Sequence, residues 1–213
     1  MSPAADAGAP DYPRERIGGL ILAGGEGRRM GGGAKGLVSL AGRPLVQHVY
    51  ARLQPQVGRG WLSVRAGMPD HGLPWPAVED ARRAASGPLA GVAAGLAAAR
   101  DGKLELLLVV PCDAPRLPDD LGRRLHRAML RDRAPAAVAR AGGRVQPTFA
   151  LLRTALADSA AAALARTEGA LWRWLERVGA AAADCDDVAR GLVNINTPEQ
   201  LGVLEQALEG ENR

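Results

Sequence analysis

The stretch from Ile17 to Gly42, IGGLILAGGEGRRMGGGAKGLVSLAG, limits what this chain can become more than any other. Its first six residues, Ile17 to Leu22, form a short apolar run broken only by glycines, the pattern of a strand buried on both faces of a parallel sheet. Ala23, Gly24, Gly25, Gly27, Gly31, Gly32 and Gly33 follow, with Arg28, Arg29 and Lys35 set among them. Glycine lets a backbone come close to a ligand, so successive N–H groups can converge on an anion, and the cations add charge beside those donors. A strand feeding such a loop reads as a polyphosphate cradle, the alternative being a Gly-rich surface turn.

Two common phosphate loops fail on chemistry. A P-loop ends in Gly-Lys-Ser/Thr and uses the hydroxyl on a metal, whereas this chain has Ala34-Lys35-Gly36. The dinucleotide fingerprint needs a small last residue where helix and strand pack, and Met30 stands there. Lys35 itself is unusual: of 27 basic residues only it and Lys103 are lysine. Lysine is a compact point charge suited to a moving phosphate, where arginine offers a planar fork.

The chain has 213 residues, enough for one α/β domain with a sizeable core. Residues 1–15, with Pro3, Pro10 and Pro13, read as a disordered tail, and 16–213 as a single domain. Net charge is only +4, and no lysine block or basic patch interleaved with aromatics occurs, which argues against nucleic acid as a partner. Cys112 and Cys185 are too few for a disulfide framework, and His48, His71 and His126 show no zinc spacing. With no secretory leader and no apolar run of membrane-spanning length, the expectation is a cytoplasmic protein that acts as a monomer away from the membrane.

Further along, Leu45, His48, Val49 and Leu53 mark a helix with Pro44 at its start and Pro55 after it. Strands are predicted at 61–64, 77–78, 104–110, 134–140, 145–152 and 192–195. Helices are predicted at 89–100, 118–131, 154–166 and 168–178, with Trp172 and Trp174 packing the last to the core. Thr197-Pro198-Glu199-Gln200 carries the signature of a capping box that opens a terminal helix. Strand and helix alternate without repeats, so the fold class is α/β: a Rossmann-like three-layer sandwich, mostly parallel sheet with helices on both faces. In such sheets ligands sit beyond the carboxyl ends of the strands, which should gather the glycine loop, Glu79-Asp80 and Cys112-Asp113 at one edge.

A triphosphate in the loop calls for Mg²⁺, which takes one or two carboxylates besides phosphate oxygens and water. Asp113, after an unbroken apolar strand and between Pro111 and Pro115, is the candidate ligand; the competing role is a helix cap. Asp80 has three open roles: metal, nucleotide hydroxyl or turn carboxylate. Gly87-Pro88 opens a helix whose N–H groups suit a second phosphate. Gln146, Asn194 and Asn196 offer amides, two of the chain's three asparagines falling in one tripeptide; for that tripeptide the alternative is capping of the next helix. Cys112 reads as a buried filler rather than a nucleophile.

These residues resemble the molybdenum cofactor guanylyltransferases of the nucleotidyltransferase superfamily. The likeness runs through Leu22-Ala23-Gly24-Gly25, Arg28-Arg29-Met30-Gly31, Lys35-Gly36, Gly42-Arg43-Pro44-Leu45, Glu79-Asp80 and Gly87-Pro88-Leu89-Ala90-Gly91. It continues at Pro111-Cys112-Asp113-Ala114-Pro115, Gln146-Pro147-Thr148 and Asn194-Ile195-Asn196-Thr197-Pro198-Glu199. The resemblance implies an enzyme that joins GTP to the phosphate of molybdopterin, or its molybdenum-bearing form, with release of pyrophosphate. It also implies partners: a molybdenum insertion protein, and recipient molybdoenzymes or their chaperones. Leu22, Ala23, Gly24 and Gly25 would meet the guanine nucleotide, with Lys35 and Asp80 as further contacts and Asp113 on Mg²⁺. Lys35, Asp113 and Arg29 are the expected catalytic residues. Ser63 stands where the family places an asparagine against the nucleotide, and Ala34 where it places an aspartate. Two rivals remain at this point: a related transferase, either a cytidylyl enzyme on the same pterin, which Gly25 disfavours, or a sugar-phosphate enzyme, and a non-catalytic carrier of the finished cofactor.

Overall fold

The computed structural model describes residues 12–25, 33–69, 71–79, 87–166 and 170–211. Its centre is a seven-stranded sheet in the order β5-β4-β1-β6-β8-β7-β9. The strands are β1 (Ile17–Leu22), β4 (Arg59–Val64), β5 (Ala77–Glu79), β6 (Leu106–Pro111), β7 (Ala136–Ala141), β8 (Arg144–Arg153) and β9 (Ala181–Asp184). β5, β4, β1 and β6 pair in parallel, β8 runs against both β6 and β7, and β9 is parallel to β7. A two-stranded ribbon, β2 (Ser39–Leu40) and β3 (Arg43–Pro44), stands apart from the sheet. The α/β sandwich expected from the pattern is the one the chain adopts.

β6 shows why the sheet is central. All six of its residues are buried, with Leu106, Leu108 and Val110 on one face and Leu107 and Val109 on the other. Each fully buried leucine or valine contributes about 1.5–3 kcal/mol relative to exposure, so a strand covered on both faces can be apolar throughout. The first face packs on α1 (Leu45–Leu53) through Val46, Val49 and Leu53, and on α3 (Leu121–Asp132) through Leu121, Leu125 and Met129. The second packs on α2 (Pro88–Asp101) through Leu89, Val92 and Leu96, on α4 (Ala157–Ala165), and on α5 (Leu171–Arg177) through Trp174. α6 (Pro198–Glu211) closes a smaller cluster of Leu40, Leu45, Ile195 and Leu204 beside the sandwich.

Several expectations need correction. Residues 192–195 form no strand; Asp186–Leu192 is 3-10 helix, and the strand that completes the sheet is β9, Ala181–Asp184. That segment is alanine-rich and carries no β-branched residue, so only its pairing with β7 makes it a strand. The tail ends before residue 15: Arg14–Arg16 is a 3-10 turn, and the Tyr12 hydroxyl donates to the carbonyl of Gln56 at 2.9 Å. Residues 1–11 lie outside the described residues. Trp174 is buried and its indole donates to Ser159, but Trp172 is half exposed and only Arg173 stacks on it. His48 is half-buried and bonds the carbonyl of Leu40 rather than joining the apolar face of α1.

Candidate active site

The turns that follow β1 and β6 meet at the carboxyl edge of the sheet, where the chain's strand order reverses. β1 feeds leftward to β4 and β5, while β6 lies on its other side, so a crevice opens between the two turns. Leu22 and Pro111 are the last paired residues, and the Leu22 carbonyl accepts from Cys112 N–H at 3.1 Å. On the far side Ala23 N–H donates to the carbonyl of Ser63 at 2.8 Å. Both neighbours thus fix the start of the loop by backbone bonds alone.

Gly24 and Gly25 come next. A Cβ placed on Gly25 would touch nothing within 4 Å, and one on Gly24 would make only ordinary contact with Arg65 at 3.6 Å. Neither glycine has a positive φ, so among the described residues neither packing nor backbone demands glycine there. Such open backbone suits the close approach of a ligand. The Gly25 carbonyl accepts a long bond, 3.4 Å, from Lys35 N–H, which returns the loop to the sheet. Arg29, the third expected catalytic residue, and Asp80, the expected nucleotide contact, lie outside the described residues.

Lys35 and Asp113 are 78 positions apart in sequence and are ion-paired in the fold, the ammonium on Oδ2. The two side chains are only 13% and 8% exposed, so the pair is shielded and its attraction is stronger than at a surface. Lys35 Nζ also donates to Asn196 Oδ1 at 2.6 Å. The other oxygen of Asp113, Oδ1, is buried and accepts no hydrogen bond from any described residue. A buried carboxylate oxygen with no donor is costly unless a ligand fills that need. No group of three or more His, Cys, Asp or Glu side chains exists among the described residues. A single anionic oxygen left without a donor suits a hard cation that draws its other ligands from phosphate and water.

Asn194 and Asn196 reach this centre because their segment is strapped to the turn after β6: Ile195 N–H donates to the Asp113 carbonyl at 2.8 Å. Together with Gln146, Ala141, Gly142 and Leu192 they line a hollow of about 440 Å³. Gln146 enters through an irregularity of the β7–β8 ladder, where the partner of β7 jumps from Ala150 at Val138 to Gln146 at Ala139. Such a bulge re-aims side chains, and here it brings the amide to the hollow. The β6–β8 pairing ends at Val109 and Ala150, so the last residues of β6 have no ladder partner in β8. Asn194 Oδ1 is a buried acceptor that no described residue satisfies.

Gly87 caps α2 with φ 137° and ψ 167°, a conformation that favours glycine, and Pro88 occupies the first turn. The first turns of α2 abut the ends of β1 and β4, since a Cβ on Gly91 would fall 3.0 Å from Leu22 Cδ2 and 2.3 Å from Ser63 Oγ. Ser63 itself is 3% exposed with its hydroxyl wedged against α2, and what it gives the described part of the loop is its backbone carbonyl, which accepts from Ala23 N–H. Cys112 is fully buried, and burial with the neighbouring Asp113 carboxylate pushes its thiol up to about 12. It is a packing residue with no thiolate to offer. Sequence reasoning missed Arg65, the first charged residue after β4, whose backbone and stem flank Gly24.

The MobA-like NTP transferase domain family matches residues 19–184. A molybdenum cofactor guanylyltransferase of Cereibacter sphaeroides is 43% identical over 195 residues, covering 91% of this chain and 97% of the relative. One from Polynucleobacter asymbioticus is 40% identical over 199 residues, covering 91% and 98%. Among solved structures, the molybdopterin-guanine dinucleotide biosynthesis protein A of Archaeoglobus fulgidus superposes with a TM-score of 0.73 at 21% identity, over 91% of this chain and 99% of that one, and so shares the fold. With four-fifths of its length inside the family's domain and curated relatives near 40% identity end to end, this chain belongs to the MobA-like nucleotidyltransferases, among the molybdenum cofactor guanylyltransferases.

Proposed function

We propose that the chain transfers GMP from GTP to the phosphate of molybdopterin, or of its molybdenum-bearing form, giving the guanine dinucleotide cofactor and pyrophosphate. The observation that carries this reading is the convergence of Lys35 and Asp113 between a backbone-lined loop on one side and a hollow lined by three amides on the other. A transfer between two phosphate-bearing substrates needs both compartments and a charged group at their border. A carrier of finished cofactor would need the compartments but not the buried ion pair.

The Leu22–Gly25 loop would hold the nucleotide through backbone groups, with Gly24 and Gly25 permitting close approach. The first turn of α2, opened by Gly87 and Pro88, supplies N–H groups for the phosphate of the second substrate. Gln146, Asn194 and Asn196 would grip the edge of the pterin, whose donors and acceptors amides can match. One phosphate oxygen of the second substrate forms its bond to the α-phosphorus as the bond to pyrophosphate breaks on the opposite side. The protein provides no nucleophile; it positions the reactants and compensates charge. A divalent cation, in our reading Mg²⁺ held by Asp113, would polarise the phosphoryl oxygens when bound. Lys35, held between Asp113 and Asn196, would offset the charge gathering on the departing group.

Incubation with molybdopterin and each nucleoside triphosphate, followed by identification of the base incorporated, tests the reading. Guanine in the product and one pyrophosphate per turnover is the expected result. In the binding version of the test, GTP with Mg²⁺ raises the melting temperature well above CTP or ATP. A larger shift with CTP overturns the guanine assignment and favours a cytidylyl transfer on the same scaffold.

A further inference from the structure

The beginning of α6 departs from the usual capping box in a way that leads into the site. In the usual box the third helical side chain returns to the N–H of the cap residue. Thr197 is that cap, its hydroxyl accepting from Gln200 N–H at 3.3 Å. The Gln200 side chain reaches one residue further back, and its Oε1 accepts from Asn196 N–H at 2.7 Å. Asn196 in turn holds its own amide in a fixed orientation: Nδ2 donates to the Asn194 carbonyl at 3.3 Å, which leaves Oδ1 for Lys35. A continuous chain of bonds therefore runs from the surface helix through Gln200, Asn196 and Lys35 to Asp113.

We propose that Gln200 is a positioning residue of the transfer site, setting Asn196 so that Lys35 is held at the border between the two substrate compartments. The inference rests on the nucleotide-binding reading above and assigns a second job to a residue that sequence alone explains as a helix cap. A lysine side chain has many rotamers to lose, and two fixed acceptors, Asp113 and Asn196, order it before ligand arrives. Asn196 also lines the amide hollow, so its placement is felt on both sides of the border. Gln200 is exposed and is not among the residues lining the amide hollow, which separates positioning from direct contact there.

The test is calorimetric titration of the full chain with Mg²⁺ and GTP, using wild type, Gln200→Ala, Gln200→Glu and Thr197→Ala. Gln200→Ala should weaken nucleotide binding about fivefold, the loss of one preorganising hydrogen bond. Gln200→Glu, which keeps an acceptor at the same reach, should restore binding to within about twofold. Thr197→Ala removes the cap from the same helix end and should lower the melting temperature at least as much as Gln200→Ala, yet bind GTP within about twofold of wild type. Unchanged binding by Gln200→Ala overturns the proposal, as does an equal loss in Thr197→Ala, since that would make helix stability the whole effect. Failure of Gln200→Glu to restore binding overturns it too. A wild-type chain that binds no GTP overturns the functional reading itself, and the positioning role with it.

Discussion

The two halves of the site are built by different means. On the side proposed for the nucleotide, parallel strands β1, β4 and β6 end together and their turns present backbone: Ala23 and Cys112 are tied to Ser63 and Leu22 by main-chain bonds, and Gly24 and Gly25 keep side chains out of the way. On the second side the ladder is antiparallel and irregular, and three amide side chains arrive from a β-bulge and from the segment that precedes α6. A backbone cradle suits phosphates, which look alike in every nucleotide. Side-chain amides suit a heterocycle whose edge must be told from others. The Lys35–Asp113 ion pair stands where the two constructions meet, and in the proposed reaction it would serve both substrates.

The largest effect should come at that meeting point. Asp113→Asn is expected to lower pyrophosphate release at least about 100-fold, roughly 2.7 kcal/mol of transition-state stabilisation, while a cooperative thermal transition persists; undiminished release would remove Asp113 from the reaction. Lys35→Met should cost a similar factor in turnover, and Lys35→Arg should recover little of it, because a planar guanidinium cannot follow a moving phosphate as an ammonium does. Gly25→Ala probes the nucleotide side alone. Its Cβ meets open space and its φ is not positive, so stability should stay within about 0.5 kcal/mol while GTP affinity falls about tenfold; unchanged affinity would show that the loop does not approach the nucleotide there.

Gln146→Ala and Asn194→Ala probe the other side. Steady-state kinetics should give a KM for the second substrate raised about tenfold, with GTP binding within about twofold of wild type. Equal losses for both substrates would erase the distinction between the halves. Ser63→Ala should leave GTP affinity unchanged, because the hydroxyl is buried against α2. The smallest signal concerns the thiols: Cys112 and Cys185 are both buried, so neither should react with iodoacetamide at pH 8 until the protein unfolds, as mass spectrometry would record.

Much of this arrangement was legible in the chain as written. An apolar run reports a buried strand by composition alone, which is why β1, β6 and their following turns were recoverable from Ile17–Leu22 and from LLLVV. Glycine spacing and a lone aspartate after a strand report chemistry in the same local way. β9 was not legible, since AAAD has no intrinsic preference for a ladder and becomes a strand only beside β7. The same limit applied to the burial of Ser63, whose hydroxyl packs against Gly91 of α2, and to the irregularity that carries Gln146 inward.

The amino-acid order therefore determined which residues carry charge, which turns follow strands and which family the molecule joins. Whether Lys35 reaches Asp113 and Asn196, and whether the Gln200 side chain bonds the backbone of Asn196 rather than that of the cap residue, was decided only by tertiary packing. The physical reason is range: propensity and periodicity act over a few residues, whereas an ion pair spanning 78 positions exists only after sheet and helices have fixed both ends.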